Sequence, residues 1–348
     1  MQKIIKTGPF PDCMVCGRPG AEKYGDLSDR FGLVKGRFIL KECSSCGLLW
    51  LDPRPVSSAV MDCYDEYYAE EEAKNGVFIS SKRFLGGFRD AFREGIICGY
   101  YGYRNFHNKH RFCGLYGFLG HVPLLRAKAI YELGGLFPFF NPDPGALFLD
   151  VGCGKGDFLD FLRNAGCPNL MGIEPHFVAA GLAEKRGLKV FKGTLEEAKL
   201  PDSSVAQVTM NHVVEHLLSP AFTLQECWRI LKPGGKLVLR TPNVKSFGHK
   251  VFHKHWMALD PPRHIFIFSP LSLNILFGKL PFNKFSIKTI TRSARNNYNA
   301  SKSISEGNKD NLKNILPRKR RYFFAFMEWL GCRFGKDWGE DIELTAEK

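Results

Sequence analysis

The stretch Phe148-Leu-Asp-Val-Gly-Cys-Gly-Lys-Gly-Asp157 decides how this chain is read. An apolar run enters it, and Gly152, Gly154 and Gly156 follow at every second position. From Asp157 the residues Asp-Phe-Leu-Asp-Phe-Leu take up a helical period. The pattern is a strand, a tight turn and a helix start. Glycines let the backbone press against a ligand where a Cβ would collide, and a helix N-terminus offers unpaired N–H groups to an anion. A dinucleotide fingerprint would place its third glycine one residue later, and a P-loop would need Gly-Lys-Ser or Gly-Lys-Thr. Neither fits. Such a turn alone does not specify a ligand, so its surroundings carry the argument.

Working outward, Leu170-Met-Gly-Ile-Glu174 predicts a second strand ending in a carboxylate. An acid there can accept two hydrogen bonds from a ribose diol; the competing reading is a solvated strand end. Lys189–Leu195 is a third short strand and turn, Val205–Met210 a fourth and Lys236–Arg240 a fifth. The fifth is introduced by Leu231-Lys-Pro-Gly-Gly235, where proline and paired glycines end a helix and start the strand. Helical patterns fill residues 157–165, 176–186 and 219–231. Strands alternating with helices predict an α/β fold on a parallel sheet, with ligands at the carboxyl ends of the strands.

This order of motifs, over roughly Asp143 to Asn296 with a last strand at Ile342–Ala346, resembles the class I S-adenosylmethionine (SAM) methyltransferases. The resemblance implies a Rossmann-like, mostly parallel seven-stranded sheet and SAM as cofactor. By position it implies that the turn Asp150, Gly152, Cys153, Gly154 and Gly156 holds the methionine part and Glu174 the ribose. Thr194 and Leu195 fall where that family contacts adenine, and Asn211 where the loop after the fourth strand meets the cofactor. The family often has Asp where this chain has Thr194, which leaves the contact to the adenine amino group less secure.

Cys13-Met-Val-Cys16 and Cys43-Ser-Ser-Cys46 form two C-x-x-C knuckles, each followed by a glycine, Gly17 or Gly47. Four thiolates suit a tetrahedral structural zinc without an open catalytic position. The alternatives are a disulfide pair or a redox motif, and a redox motif needs only one C-x-x-C beside a βαβ pattern. Gly47-Leu-Leu-Trp-Leu-Asp-Pro-Arg-Pro55 follows the second knuckle, and the ensemble resembles the zinc ribbon fused to bacterial methyltransferases of polysaccharide and natural-product pathways. The expected division is a zinc ribbon over 1–60, a helical basic-aromatic lid or linker over 61–140, and a methyltransferase domain over 141–348 with an insertion near 296–340. Asn297–Asn311, rich in Asn and Ser, is the expected flexible part of that insertion.

The chain has 348 residues, 44% of them hydrophobic, enough for one full α/β domain and a small accessory one. Its formal charge of +14 suits an acidic partner such as a nucleotide-linked sugar, an RNA or an anionic lipid surface, without choosing among them. The charge concentrates in Lys82–Lys128 and Lys313–Lys336, both thick with aromatics. Basic–aromatic mixtures can stack bases and grip phosphates, but helices that pack their aromatics and solvate a basic face give the same composition. The remaining seven cysteines are scattered among apolar neighbours, as reduced thiols are, which predicts a cytoplasmic protein. The first ten residues lack the apolar core of a secretory signal, and no window is long and apolar enough to span a membrane.

Two segments are candidates for chemistry. After the fourth strand comes Asn211-His-Val-Val-Glu-His216, whose His212-x-x-Glu-His216 matches the inverted zincin pattern. A metalloprotease helix is not expected between the fourth strand of such a sheet and a Lys-Pro-Gly-Gly turn. Ubiquinone-type O-methyltransferases resemble this segment with Glu-x-x-Glu-His, whose side chains can hold a divalent ion; here His212 replaces the first Glu. Substrate base, metal ligand and packed histidine all stay open for His212. The second segment, Trp256-Met-Ala-Leu-Asp-Pro-Pro-Arg-His264, is a loop because adjacent prolines forbid helix. The zinc-ribbon methyltransferases carry a similar Pro-Pro-Arg-His. Arg263 offers a fork for a carboxylate or phosphate and His264 a base; alternatively the charged side chains only tie down a rigid turn. The candidate catalytic set is thus His212, His216, His264 and Arg263. The function expected is methyl transfer to a small-molecule acceptor, a sugar, nucleotide-linked sugar or secondary-metabolite precursor, at oxygen or carbon, and the chain's charge suits an acidic one. RNA methylation and non-catalytic SAM binding are the alternatives.

Overall fold

The computed structural model describes residues 3–64, 95–96, 118–122, 125, 145–164, 167, 169–307 and 317–348. Most of the basic-aromatic region expected over 61–140 therefore lies outside the described residues. Among the described residues, the N-terminal part holds β1 (Thr7–Gly8), β2 (Ala21–Leu27), β3 (Phe38–Glu42), β4 (Leu49–Leu51) and β5 (Arg54–Pro55). The rest begins with β6 (Phe148–Val151), α1 (Asp157–Asn164), β7 (Leu170–Glu174), α2 (Phe177–Lys185), β8 (Val190–Lys192) and β9 (Val205–Asn211). It continues with α3 (Pro220–Ile230), β10 (Leu231–Pro242), α4 (Phe247–Phe252), β11 (Phe266–Ile267), α5 (Pro270–Phe277) and β12 (Lys284–Ile290). It closes with α6 (Ala294–Ser305), α7 (Arg318–Arg333) and β13 (Asp341–Glu347).

Seven strands form the expected sheet in the order β12-β13-β10-β9-β6-β7-β8. β6 pairs with β7, and β7 with β8, in parallel; β13 runs antiparallel to both β10 and β12. All four residues of β6 are buried, as expected of a parallel strand covered on both faces. β10 runs five residues further back than expected, through Leu231-Lys-Pro-Gly-Gly235, with Gly234 at φ +75° absorbing the irregularity that was read as a stop.

The described residues fall into two compact units. One, within Tyr68–Thr209 and Ile230–Gly235, holds β6, α1, β7, α2, β8 and most of β9. Its glycine turn rests on a small core of Cys153, Leu159, Ala183 and Leu188. The fit is tight: a Cβ on Gly156, at φ +80°, would collide with the Leu188 side chain and lie 3.0 Å from that of Ala183.

The other unit joins Met1–Tyr67 to Met210–Arg229 and Lys236–Lys348. The residues of the expected ribbon thus group with segments that follow β9 and β10. β11 adds to the ribbon as the edge of a four-stranded sheet ordered β11-β4-β3-β2, with Phe266 opposite Trp50 and Ile267 opposite Leu49. One apolar cluster includes Leu27, Phe38, Leu40 and Leu51 of the ribbon with Trp256, Leu259 and Ile267. Full burial of each such side chain stabilises by about 1.5–3 kcal/mol, and the ribbon and the segment after β10 share this cluster.

The insertion between β12 and β13 also departs from expectation. Residues 294–305 form a helix although their composition is polar. Tyr298 is the reason: it is fully buried, stacks on Phe324 with ring centroids 4.7 Å apart, and donates its hydroxyl to Glu328 at 2.9 Å. Buried Ala300, Ser301 and Ser303 are small enough to let α6 approach its neighbours closely. Among the described residues no helix is long and apolar enough to cross a membrane.

Candidate active site and cysteine cluster

The glycine turn and the strand-end acid meet in the unit that holds β6 and β7. Gly152, Gly154 and Gly156 all have positive φ, at 70°, 56° and 80°, where a side chain would be strained. The Gly154 N–H donates to Glu174 Oε2 at 2.8 Å, and the His176 N–H donates to Oε1 at 2.9 Å. Each carboxylate oxygen keeps a further lone pair for a ligand hydroxyl. Burial pushes the Glu174 carboxyl up, and these two backbone donors oppose it. Asp150 is buried and accepts from Thr209 Oγ1 at 2.6 Å; burial raises its pKa to about 7. Thr194 closes a turn with Glu197, its N–H donating to Oε2 at 2.7 Å. The Leu195 side chain is buried; Asn211, exposed at the end of β9, belongs to the other unit.

In the other unit, four side chains from two separated segments come together. His212, at φ 55°, donates its backbone N–H to the Arg240 carbonyl. Its Nδ1 lies 3.1 Å from Glu215 Oε1 and its Nε2 3.8 Å from Asp341 Oδ1. Burial opposes the charged imidazole, yet the two carboxylates outweigh it and raise the His212 pKa. Glu215 is fully buried; its Oε2 accepts from Thr241 at 2.9 Å. Burial would raise its carboxyl, but the hydrogen bond from His212 and the charges of the neighbouring histidines bring it down to about 2.

His216 is the opposite case. Burial first, and the neighbouring His264 second, depress its pKa to about 4, so it is neutral near pH 7. Its Nδ1 lies 2.9 Å from the Arg263 carbonyl and 2.8 Å from the Tyr64 hydroxyl. A carbonyl can only accept, so Nδ1 carries the proton and Nε2 keeps its lone pair. The rings of His216 and His264 meet edge to face, 4.7 Å between centroids. His264 Nδ1 in turn donates to the Ala258 carbonyl at 2.7 Å. One ligand atom each from Glu215, His216 and His264 lies within 4.8 Å of the others, a spacing a cation could bridge. Each Glu215 oxygen also accepts one hydrogen bond, from His212 or Thr241, and keeps a further lone pair, so the hydrogen bonds leave that spacing usable.

Of the two readings of Arg263, its contacts match the one in which charged side chains tie down the turn. Its guanidinium is buried, donates to both oxygens of Asp260 at 3.0 and 2.7 Å and to Asp29, and lies over the Phe31 ring. Asp29 also accepts from the N–H groups of Phe31, Leu33 and Val34 at 2.7–3.0 Å. These partners hold Arg263 as a strut between the Pro-Pro-Arg-His loop and the ribbon.

The four knuckle cysteines lie together as expected. One sulfur from each of Cys13, Cys16, Cys43 and Cys46 falls within 4.8 Å of the others, with Cys13 and Cys46 3.5 Å apart and Cys16 and Cys43 3.3 Å apart. A tetrahedral zinc with arms of about 2.3 Å has sulfur–sulfur edges of about 3.8 Å, so the donor set fits. The knuckle turns are closed by Gly17 N–H to the Cys13 carbonyl at 2.7 Å and Gly47 N–H to the Cys43 carbonyl at 2.9 Å. Lys279 Nζ donates to the Val15 carbonyl and Ser269 Oγ to that of Cys46, tying both knuckles to α5 and its surroundings.

Sequence reasoning missed Glu215, Tyr64, Thr241, Asp341 and Asp29 as members of this site. Glu215 had a signal, its place beside His216. The others lie far along the chain from the groups they touch and carry none. Gly172 was also passed over: a Cβ there would lie 2.5 Å from Cys153 Sγ and 2.9 Å from Leu159, so only glycine fits under the turn.

Residues 125–286 match a family model described as a methyltransferase domain. A "Probable S-adenosylmethionine-dependent methyltransferase" of Mycolicibacterium smegmatis is 34% identical over 103 residues, covering 28% of this chain and 39% of that protein. A ubiquinone biosynthesis O-methyltransferase of Sodalis glossinidius is 35% identical over 132 residues, covering 36% of this chain and 50% of that one. The chain thus spans half or less of the length of these curated relatives. A solved SAM-dependent methyltransferase from Archaeoglobus fulgidus is 21% identical with a TM-score of 0.42, covering 65% of this chain and 92% of that one.

Proposed function

We propose that this chain, a class I SAM-dependent methyltransferase by family, transfers a methyl group to a small-molecule acceptor: a sugar, nucleotide-linked sugar or secondary-metabolite precursor, at oxygen or carbon. The observation that carries the reading is the 2.8 Å hydrogen bond from Gly154 N–H to Glu174, which joins the glycine turn to the strand-end carboxylate. Asp150, Gly152, Cys153, Gly154 and Gly156 would hold the methionine end of SAM, Glu174 its ribose, Thr194 and Leu195 its adenine, with Asn211, the last residue of β9, also on the cofactor. When bound, SAM supplies a methyl group made electrophilic by its sulfonium.

The chain's own task is then to bind the acceptor, align it and keep water out. A hydroxyl or carbon acid must also lose a proton. We assign that proton to His216, because it is neutral near pH 7 and its Nδ1–H is fixed on the Arg263 carbonyl. His212, held between Glu215 and Asp341, is assigned to orienting Glu215. His264 is assigned to the acceptor side as the partner ring of His216, and Arg263 to positioning the loop that carries both contacts.

The four cysteines are assigned one structural zinc, by the fit of the sulfur set. The charge of +14 supports an acidic acceptor, and the name of the Sodalis relative supports an oxygen acceptor. Outside the knuckles, Cys63, Cys153, Cys167, Cys227 and Cys332 are free thiols, which supports a reducing, cytoplasmic setting. The test is a transfer assay with SAM labelled on its methyl group, against extracted small molecules and RNA. Label recovered in a small molecule, and lost with His216→Ala, is the expected result. Label found only in RNA contradicts it.

A further inference from the structure

The helix α7 turns an aromatic face outward. Its sequence, Arg318-Lys-Arg-Arg-Tyr-Phe-Phe-Ala-Phe-Met-Glu-Trp-Leu-Gly-Cys-Arg333, has one acid, Glu328, and that residue is buried. Glu328 accepts from Tyr298, and Phe324 stacks on the same ring, so these contacts fix the rotation of the helix. Tyr322, Phe323, Phe326 and Trp329 then share the opposite face, at 46%, 59%, 52% and 51% exposure. Phe326 and Trp329 stack on one another, 5.9 Å between centroids, and Phe334 just past the helix end is 73% exposed. Scattered exposed apolar residues are ordinary, but four aromatics on one helix face with a fifth at its end form a patch.

Cations frame the patch. Lys319 and Arg320 at one end, and Arg333 and Lys336 at the other, are all exposed. The first turn contains no acid, so its cations oppose the helix dipole. Local helix stability does not account for them.

We propose that this face of α7 docks on an anionic membrane surface, lying in the interface without crossing it. Aromatic rings settle at the level of the lipid headgroups, and flanking Lys and Arg reach the negative phosphates while their stems cover apolar surface. A second copy of the chain is a poor occupant. A two-fold antiparallel pairing of this helix sets Lys319 and Arg320 against the other copy's Arg333 and Lys336, with no exposed acid on the helix to compensate. RNA also fits poorly, because single strands are held in a charged groove and α7 presents a convex face.

The test uses the full chain in flotation with vesicles of phosphatidylcholine alone or of phosphatidylcholine with phosphatidylglycerol, at low and moderate salt. Expected is partition at least tenfold stronger onto the anionic vesicles, weakening with salt, since each basic residue near such a surface adds about fivefold before screening. Phe326→Glu with Trp329→Glu should reduce partition at least tenfold. Lys319→Glu with Arg320→Glu should abolish the preference for anionic lipid. Both pairs of residues are exposed, so the circular dichroism spectrum and melting midpoint should match wild type. Phe326→Ser with Trp329→Ser tests the same face without added charge and should give the same loss. Three results overturn the proposal: no partition of wild type, equal partition onto neutral and anionic vesicles, or partition untouched by the aromatic substitutions. Self-association that disappears with Phe326→Glu, or tighter binding to a polynucleotide through the same residues, assigns the face elsewhere and also overturns it.

Discussion

Arg263 is paired in the interior with Asp29, a residue 234 positions earlier, and the pair fastens the loop before β11 to the N-terminal ribbon. The backbone of Arg263 meanwhile accepts the Nδ1 proton of His216 at 2.9 Å. One residue therefore braces the loop with its side chain and orients a candidate base with its carbonyl.

Removing one partner of a buried ion pair leaves the other charge stranded. Arg263→Ala should destabilise the protein by about 3–5 kcal/mol, read as a shift in the urea midpoint. Asp29→Ala should cost less in the Arg263→Ala background than in wild type, because the two changes remove the same interaction. Strict additivity would show that the pair is not the strut described.

The histidines make opposite statements about pH. The folded pKa of His216 lies near 4, below its unfolded value of 6.5. The unfolded chain therefore binds a proton that the folded chain refuses, and stability declines as pH falls from 6.5 toward 4. Glu215, depressed from 4.5 to about 2, adds stability above 4.5 that is lost as pH falls toward 2. His212, raised, adds stability below 6.5 that is lost as pH rises through its folded value. If His216 is the base, the acidic limb of kcat/KM falls near pH 4. A limb above 6.5 would point to His212 instead.

The ribbon shares its core with the segment around Trp256 and Ile267. Cys43→Ser should therefore lower zinc content and also raise amide exchange across 256–268, beyond the ribbon itself. Exchange confined to residues 1–60 would restore the picture of a separately folded module.

The extent to which the sequence revealed this arrangement follows from the range of the interactions. The strand, turn and helix around Gly152–Gly156 were legible because local periodicity and glycine placement specify them, as were the two cysteine knuckles. The helix at 294–305 was not. Its stability comes from Tyr298 packing on Phe324 and bonding Glu328, contacts that local composition does not encode. The ion pairs of Arg263 were not legible for a related reason. Its partner Asp29 lies in the ribbon, and only the pairing of β11 with β4 brings the two segments together.

Gly156 separates fold from ligand binding. With φ at +80° and the Leu188 side chain occupying the space a Cβ would need, Gly156→Ala should destabilise by about 1–3 kcal/mol through strain and overpacking. A thermal midpoint equal to wild type would mean that the turn relaxes freely.

The central claim is that the glycine turn and Glu174 hold SAM. Isothermal calorimetry with S-adenosylhomocysteine, on wild type and on Gly154→Val, tests it most directly. Gly154 sits at φ 56° and its N–H is fixed on Glu174, so valine both strains the turn and fills the ligand's side. The account predicts one binding event per chain in wild type and none in the variant, with the variant still folded by circular dichroism. Equal heats from the two proteins, or none from a folded wild type, would contradict it.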